Sequence, residues 1–373
     1  MSIWHSWDEP QVAALVEILA GFSELYPDVL FDVLYVPPTD LRNRFEAAGR
    51  EGAGPVILLG PGEWGPALYD AGYLHDLTGL VSPEMLDQIA APALEAVRYR
   101  EALIGLPYSM QGIVLYRNKQ IIPIPPDDFE DVIQLAQAST QNETLGAYLE
   151  RSYFSSGGHL LGLGGRLMLE DGEPAFDDAF GLEWVELLRA FEQSGPTTFL
   201  SDDDLALFQE GRVGWFTEGT WRMQALAEAL GPENIAIDPW PIYGDGRLAG
   251  FVQVENIYLS QEAVSSATLG ARTGGDPQSA AWLLVEYFYS PEAQTLLAES
   301  GRIPVISGLE TGDPLVAQAI TALAGGVPYP VIAEADLYPA TLDIALQSIF
   351  QAETDPLDAL NACLLYTSDA ADE

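Results

Sequence analysis

The chain has 373 residues, 48% of them hydrophobic, and its 56 acidic against 15 basic side chains give a formal net charge of −41. The length exceeds one ordinary core and points to two lobes, while no run of about 18 apolar residues is present to span a membrane. So acidic a surface repels phosphate backbones and anionic lipid, which disfavours nucleic-acid and membrane-surface partners, and Lys119 as the only lysine leaves little to clamp a phosphorylated ligand.

Ile3-Trp4-His5 reads as a first strand with no signal peptide ahead of it, so an export signal is expected to be missing from this chain. Asp8 can cap the next helix with Gln11 three residues on, Pro10 being tolerated in the first turn. Val12, Leu15, Val16, Leu19 and Phe22 repeat at helical spacing until Pro27. Residues 29–36 are nearly all apolar and predict a parallel strand buried on both faces. A helix at 39–48 and a strand at 56–59 complete a β-α-β-α-β start, the pattern of a parallel sheet with right-handed crossovers. The loop Gly60-Pro61-Gly62-Glu63-Trp64-Gly65 then sets a carboxylate beside an aromatic ring, although an ordinary Gly/Pro turn reads the same way.

Leu106-Pro107-Tyr108-Ser109 leads into a strand at 112–116 and on to Arg117-Asn118-Lys119, and Asp127-Asp128 opens the following helix. Tyr153-Phe154 and the glycine-rich residues 157–165 read as a loop; Gly162, Gly164 and Gly165 lack the strand and the lysine of a phosphate cradle. Asp171-Gly172 reads as a hairpin turn, and Trp184, Leu187, Leu188 and Phe191 as the core face of a helix. Asp202-Asp203-Asp204 looks like a metal cluster but more simply starts a helix at 205–210, with Ser201 or Asp202 as its cap. Gly211 fits a left-handed helix stop, residues 213–216 an inner strand, and Trp221 then falls at that strand's carboxyl end, where open α/β sheets bind ligands. Residues 251–259 read as a return strand, followed by helices at 280–288 and 291–297.

Catalysis finds little support. His5, His75 and His159 lie far apart without metal-ligand spacing, no Gly-x-Ser-x-Gly elbow occurs, and neither cofactor nor metal is expected. A glycosidase's pair of carboxylates stays open, because 56 acids place some close together by chance. A sugar site needs aromatic faces for the pyranose CH groups, interleaved with carboxylates and amides for the hydroxyls. Asp8-Glu9, Glu63-Trp64, Gln111, Tyr153, Glu218 with Trp221, and Leu337-Tyr338 supply such groups in loops or at strand ends, core packing being the commoner fate of any single aromatic.

The run from Phe208 through Gly211 to Gly219-Thr220-Trp221 resembles the Phe-x-x-Gly to Gly-x-Trp signature of extracellular solute-binding protein family 1, the maltose-binding-protein-like proteins of carbohydrate ABC importers. Gly105-Leu106-Pro107 with Tyr116-Arg117-Asn118-Lys119 resembles that family's crossing between lobes, Arg117 replacing nothing essential, and Gly301-Arg302-Ile303-Pro304 a further family element. The resemblance implies an α/β, two-lobed periplasmic-binding-protein type II fold with discontinuous lobes, 1–110 with 254–312 and 111–253 with 313–362, and a hinge of crossing strands near Gln111 and Phe251. It places Asp8 and Glu9 on sugar hydroxyls, Glu63-Trp64 at a second polar cluster, Gln111 where the family has an acid, and Tyr153, Trp221 and Tyr338 in an aromatic platform, with Glu218 near Trp221.

The function so implied is capture of a neutral carbohydrate, an oligosaccharide, in an interlobe cleft by a monomeric extracytoplasmic protein that hands it to ABC permease subunits. A glycosidase and a binding protein for a non-sugar solute remain the alternatives. Residues 363–373 resemble the translation of a sequencing-library adapter, and the expectation is that they are not native and that the protein lacks cysteine.

Overall fold

The computed structural model describes residues 1–169, 174–199, 201–261, 280–332 and 338–371. The turn expected at Asp171-Gly172 and the candidate Leu337 lie outside the described residues. The chain divides into two compact units, one of Met1–Gln111, Gln253–Gly312 and Pro330–Ala333, the other of Gly112–Val252, Asp313–Tyr329 and Glu334–Glu373. Among the described residues no helix is long and apolar enough to cross a membrane.

In the first unit the strand Ser2–His5 lies between Asp32–Tyr35 and Ile57–Pro61, parallel to both, as the β-α-β-α-β pattern requires. The return strand Phe251–Leu259 adds to Ile57–Pro61 in antiparallel register, Leu259 opposite Ile57. The helix Glu9–Leu25 starts with a full capping box: Asp8 accepts from the Gln11 amide at 3.3 Å while Gln11 Oε1 accepts from the Asp8 amide at 3.4 Å. Its buried face is Ala14, Leu15, Ile18, Leu19 and Phe22, and Val16 faces solvent. The apolar run at 29–36 is not a doubly buried strand. Among the described residues Asp32–Tyr35 is the outermost strand of the sheet, with a neighbour on one side, and Val33 and Tyr35, and Leu30 just ahead of them, are exposed.

The second unit is built on Val213–Gly219. This strand runs antiparallel to Leu106–Asn118 on one side and parallel to Leu145–Glu150 on the other, an interior position that explains the complete burial of Trp215 and Phe216. Ile235–Asp238 covers the other side of Leu106–Asn118, and Thr197–Thr198 extends the sheet beyond Leu145–Glu150. Gly211 ends the helix Asp203–Gln209 with a φ of 73°, the left-handed stop that the sequence indicates. Trp184, Leu187, Leu188 and Phe191 form the buried face of the helix Ala179–Ser194. Cys363 is buried within the helix Pro356–Ala371, which packs against Tyr338–Gln351.

Arg117 is far from incidental: its Nε and Nη2 donate to the Asp238 carboxylate at 2.8 and 3.1 Å, its Nη1 to the Ile122 carbonyl at 2.9 Å, and Trp215 Nε1 donates to the same carboxylate at 2.9 Å. A buried guanidinium persists where its donors are matched in this way. Residues 153–162 are also a helix, Tyr153–Gly162, rather than a loop. Its glycines serve close packing: a Cβ on Gly158 would stand 2.6 Å from the Ala249 carbonyl oxygen, and one on Gly162 2.5 Å from that of Arg247. Only a helix face without side chains can lie so near another backbone.

Candidate functional site

In the first unit Asp8 and Glu9 are both exposed at the amino end of the helix Glu9–Leu25. With Trp7, Val33 and Tyr35 they border an open hollow of about 510 Å³ at the carboxyl ends of the strands Ser2–His5 and Asp32–Tyr35. Trp7, which lines the hollow, is held by a polar chain. Trp7 Nε1 donates to the Tyr108 hydroxyl at 2.8 Å, Tyr108 donates to Glu255 Oε2 at 3.1 Å, and the Arg302 guanidinium lies 4.5 Å above the Trp7 ring. Burial raises the Glu255 carboxyl, and the Arg302 charge and the Tyr108 bond oppose that rise.

Glu63 is exposed in a single 3-10 turn, Gly62–Trp64. Trp64 is half-buried, with its ring laid on Gly60, where a Cβ would meet Cζ3 at 2.8 Å, and against the cluster that includes Phe45, Leu58 and Leu68. Gln111 is half-buried on the strand Leu106–Asn118.

In the second unit the strand Val213–Gly219 passes directly into the 3-10 turn Thr220–Arg222, and the turn presents Trp221 with 45% of its surface exposed. Its ring lies 6.0 Å from that of the half-buried Phe154, inclined by 37°, and Phe154 in turn lies 6.3 Å from Tyr329. Trp221, Phe154 and Tyr329 thus form a row of rings. Tyr153 and Tyr338, the other aromatics suggested by the sequence, are 0% and 1% exposed. Tyr153 packs edge-on against Phe251 at 5.3 Å, its buried hydroxyl without a hydrogen-bond partner among the described residues, and Tyr338 points its hydroxyl to the Leu167 carbonyl at 3.4 Å.

Sequence reasoning missed Phe154 and Tyr329. A helical reading of 153–162 would have found the first, because neighbours on a helix point about 100° apart and Tyr153 and Phe154 cannot share a face. Tyr329 stands between Pro328 and Pro330, where the chain is held extended.

Glu218, three residues before Trp221, is half-buried, accepting from the Gly219 amide at 2.5 Å, with Arg222 Nε at 4.0 Å. Burial raises its carboxyl above the usual range. Burial likewise pushes Glu150 up to about 7, against the bonds it accepts from Ser152 at 2.5 Å and Ser155 at 2.8 Å, and Asp204 up to about 6. Among the described residues no group of three or more His, Cys, Asp or Glu is arranged to hold a metal ion. His5 accepts from the Trp7 amide at 3.1 Å; His159 is wholly buried, its Nδ1 2.7 Å from the Ala249 carbonyl oxygen and its pKa brought down by burial to about 4. His159 is therefore structural, whereas the buried His5 lines the hollow next to Trp7.

A model of the bacterial extracellular solute-binding protein family matches residues 17–322. The chain belongs to this family. As a solute-binding protein it is 25% identical over 324 residues to the maltotriose-binding protein of Pyrococcus abyssi (strain GE5 / Orsay), a match that covers 82% of this chain but 66% of that protein, just under two thirds. Its fold is shared with an extracellular solute-binding protein from Staphylococcus aureus in complex with maltose, at a TM-score of 0.85 and 18% identity over 100% of this chain and 97% of the other. The cyclic alpha-maltosyl-1,6-maltose binding protein from Arthrobacter globiformis gives a TM-score of 0.79 and 20% identity over 98% and 97%. This solute-binding protein therefore has the mixed α/β, two-lobed fold of the maltose-binding-protein type that the sequence implies.

Proposed function

We propose that this solute-binding protein captures a neutral carbohydrate, of the malto-oligosaccharide class, outside the cytoplasm and delivers it to the permease of an ABC importer without chemistry on the ligand. The observation that carries the reading is the row of Trp221, Phe154 and Tyr329 at the carboxyl end of an interior strand. Such rings offer apolar faces of the size of a pyranose, and Glu218, three residues before Trp221, offers acceptors for its hydroxyls. Asp8, Glu9, Glu63 and Gln111 are further polar groups proposed for the ligand's hydroxyls. Relatives named for maltose, maltotriose and cyclic maltosyl-maltose support the sugar class. The charge of −41 argues for a ligand without phosphate.

Calorimetry and thermal melting with maltotriose, and with a phosphorylated counterpart, test the reading. Maltotriose should bind and raise the melting temperature, since a ligand that binds only the native state stabilises it, and the phosphorylated sugar should bind far more weakly. No binding of neutral oligosaccharides overturns the sugar assignment; release of glucose from maltotriose overturns the non-enzymatic one.

A further inference from the structure

Three carboxylates from three elements, Glu150, Glu218 and Asp204, lie close enough to act on one another. Glu150 and Glu218 each stand two residues past the paired Tyr148 and Phe216, on neighbouring parallel strands, so two acids end side by side. Asp204, buried in the first turn of Asp203–Gln209, is felt electrostatically by Glu150 and itself feels Glu218. Like charges crowded in a medium of low polarity favour keeping a proton on one of them.

Glu150 is also tied to the turn that carries Phe154. One of its oxygens accepts from Ser152 Oγ at 2.5 Å and the other from Ser155 Oγ at 2.8 Å. Ser152 is in turn the cap of Tyr153–Gly162, its Oγ accepting from the Ser155 amide at 3.3 Å, and Phe154 is the second residue of that helix. Glu218 is tied to the other ring-bearing turn through the Gly219 amide and Arg222, which flank Trp221.

We propose that Glu150 is a positioning residue for the aromatic row, and that carbohydrate binding takes up a proton at this carboxylate group, so that affinity falls as the solution becomes alkaline. The proposal rests on the carbohydrate reading above. A sugar laid over Trp221 and Phe154 displaces water from the nearby carboxylates and so favours the neutral form, and linkage requires that the protonated protein then bind it more tightly. Among the described residues the charges that act on Glu150 are Asp204 and Glu218; one step further out, Asp202 acts on Asp204, Asp203 acts on Tyr148 of the same strand as Glu150, and Asp343 accepts from the Tyr153 amide at 2.6 Å. Two arginines are near. Arg222 is 4.0 Å from Glu218, while Arg151 donates Nε to the Leu188 carbonyl at 2.8 Å and forms an ion pair with Glu192 at 2.9 Å; among the described residues neither guanidinium is paired with Glu150. Burial with no cation bonded to it keeps Glu150 at about 7, within the span where a small shift changes its charge.

Calorimetry of maltotriose binding to the full chain between about pH 5.5 and 8.5, in two buffers of different ionisation enthalpy, tests the proposal. Affinity should fall about tenfold across that range, the factor for one unit of pKa displacement, with net proton uptake near neutrality. Glu150→Gln keeps the shape of the neutral acid and should hold the low-pH affinity while losing the pH dependence; Glu150→Ala should bind more weakly at every pH. Carboxyl NMR of the unaltered protein with and without maltotriose gives a reading that needs no variant, and the Glu150 pKa should rise on binding. A flat wild-type profile, an unchanged slope in Glu150→Gln, or a Glu150 pKa unmoved by the sugar each overturns the role of Glu150. Failure to bind maltotriose at any pH overturns the carbohydrate reading and the proposal with it, whereas binding with a flat profile overturns the proposal alone.

Discussion

The indole of Trp221 lies across Gly219 so closely that a Cβ at that position would stand 2.1 Å from Cε2 and Cζ2. Gly219 has an ordinary extended backbone, φ −75° and ψ 150°, so the glycine is there for space and not for conformation. Gly219→Ala should therefore keep the fold while forcing the ring off its seat. The expected result is a roughly tenfold loss of maltotriose affinity, about 1.4 kcal/mol, with a melting temperature close to that of the unaltered protein. Wild-type affinity in this variant would show that the seat of the ring has no part in binding.

Trp221 and Trp184 provide a contrast between two residues of one type. Trp221 is 45% exposed in a turn, whereas Trp184 is 0% exposed and its Nε1 donates to the Ser156 carbonyl at 3.0 Å. Trp221→Ala should weaken sugar binding by roughly 1–3 kcal/mol, as loss of an aromatic anchor does, and leave the ligand-free melting temperature almost unchanged. Trp184→Ala should lower stability by about 3–5 kcal/mol through the cavity and the orphaned carbonyl it leaves. Titration calorimetry and urea unfolding on both variants separate the two roles, and an exchange of effects between them would refute the assignment of Trp221 to the ligand.

Where local chemistry decides structure, the sequence is legible. The Asp8–Gln11 capping box, the left-handed Gly211 and the exposed Trp221 at the end of an interior strand are all stated by neighbouring residues, and the structure has all three. Long-range pairing is what the sequence hides. Nothing in residues 29–36 says that their strand is outermost, because edge or centre is decided by strands far along the chain. Likewise the glycines of 153–162 suggest a loop until the backbone at 247–251 is seen lying against them. That missed helix hid Phe154, and burial, which local sequence does not report, placed Tyr153 and Tyr338 inside.

The Arg117–Asp238 pair is a case where burial makes breaking worse than replacing. Both side chains are almost fully enclosed, at 7% and 3% exposure, and Trp215 shares the carboxylate. Asp238→Ala leaves a guanidinium without its anion and an indole N–H without its acceptor. The expected loss is about 3–5 kcal/mol in urea unfolding, against little change in maltotriose affinity for the protein that remains folded. An Asp238→Ala variant as stable as the parent would mean that water reaches the guanidinium and that the pair is not closed off.

Stability should also depend on pH through Glu150 and Asp204. Their carboxyls are raised by burial to about 7 and about 6, so in the folded protein they keep protons that the unfolded chain releases near its ordinary carboxylate range. A group whose pKa is raised by folding stabilises the native state at low pH, and that contribution is lost as pH rises through the folded value, here between about pH 4.5 and 7. The general repulsion within a chain of charge −41 acts in the same direction, so a falling wild-type curve alone proves nothing. The difference between curves is decisive. In urea unfolding, Glu150→Gln and Asp204→Asn should each flatten the decline, and together they should remove roughly 1–3 kcal/mol of it. Curves for both variants parallel to that of the unaltered protein would show that folding does not raise these two carboxyls.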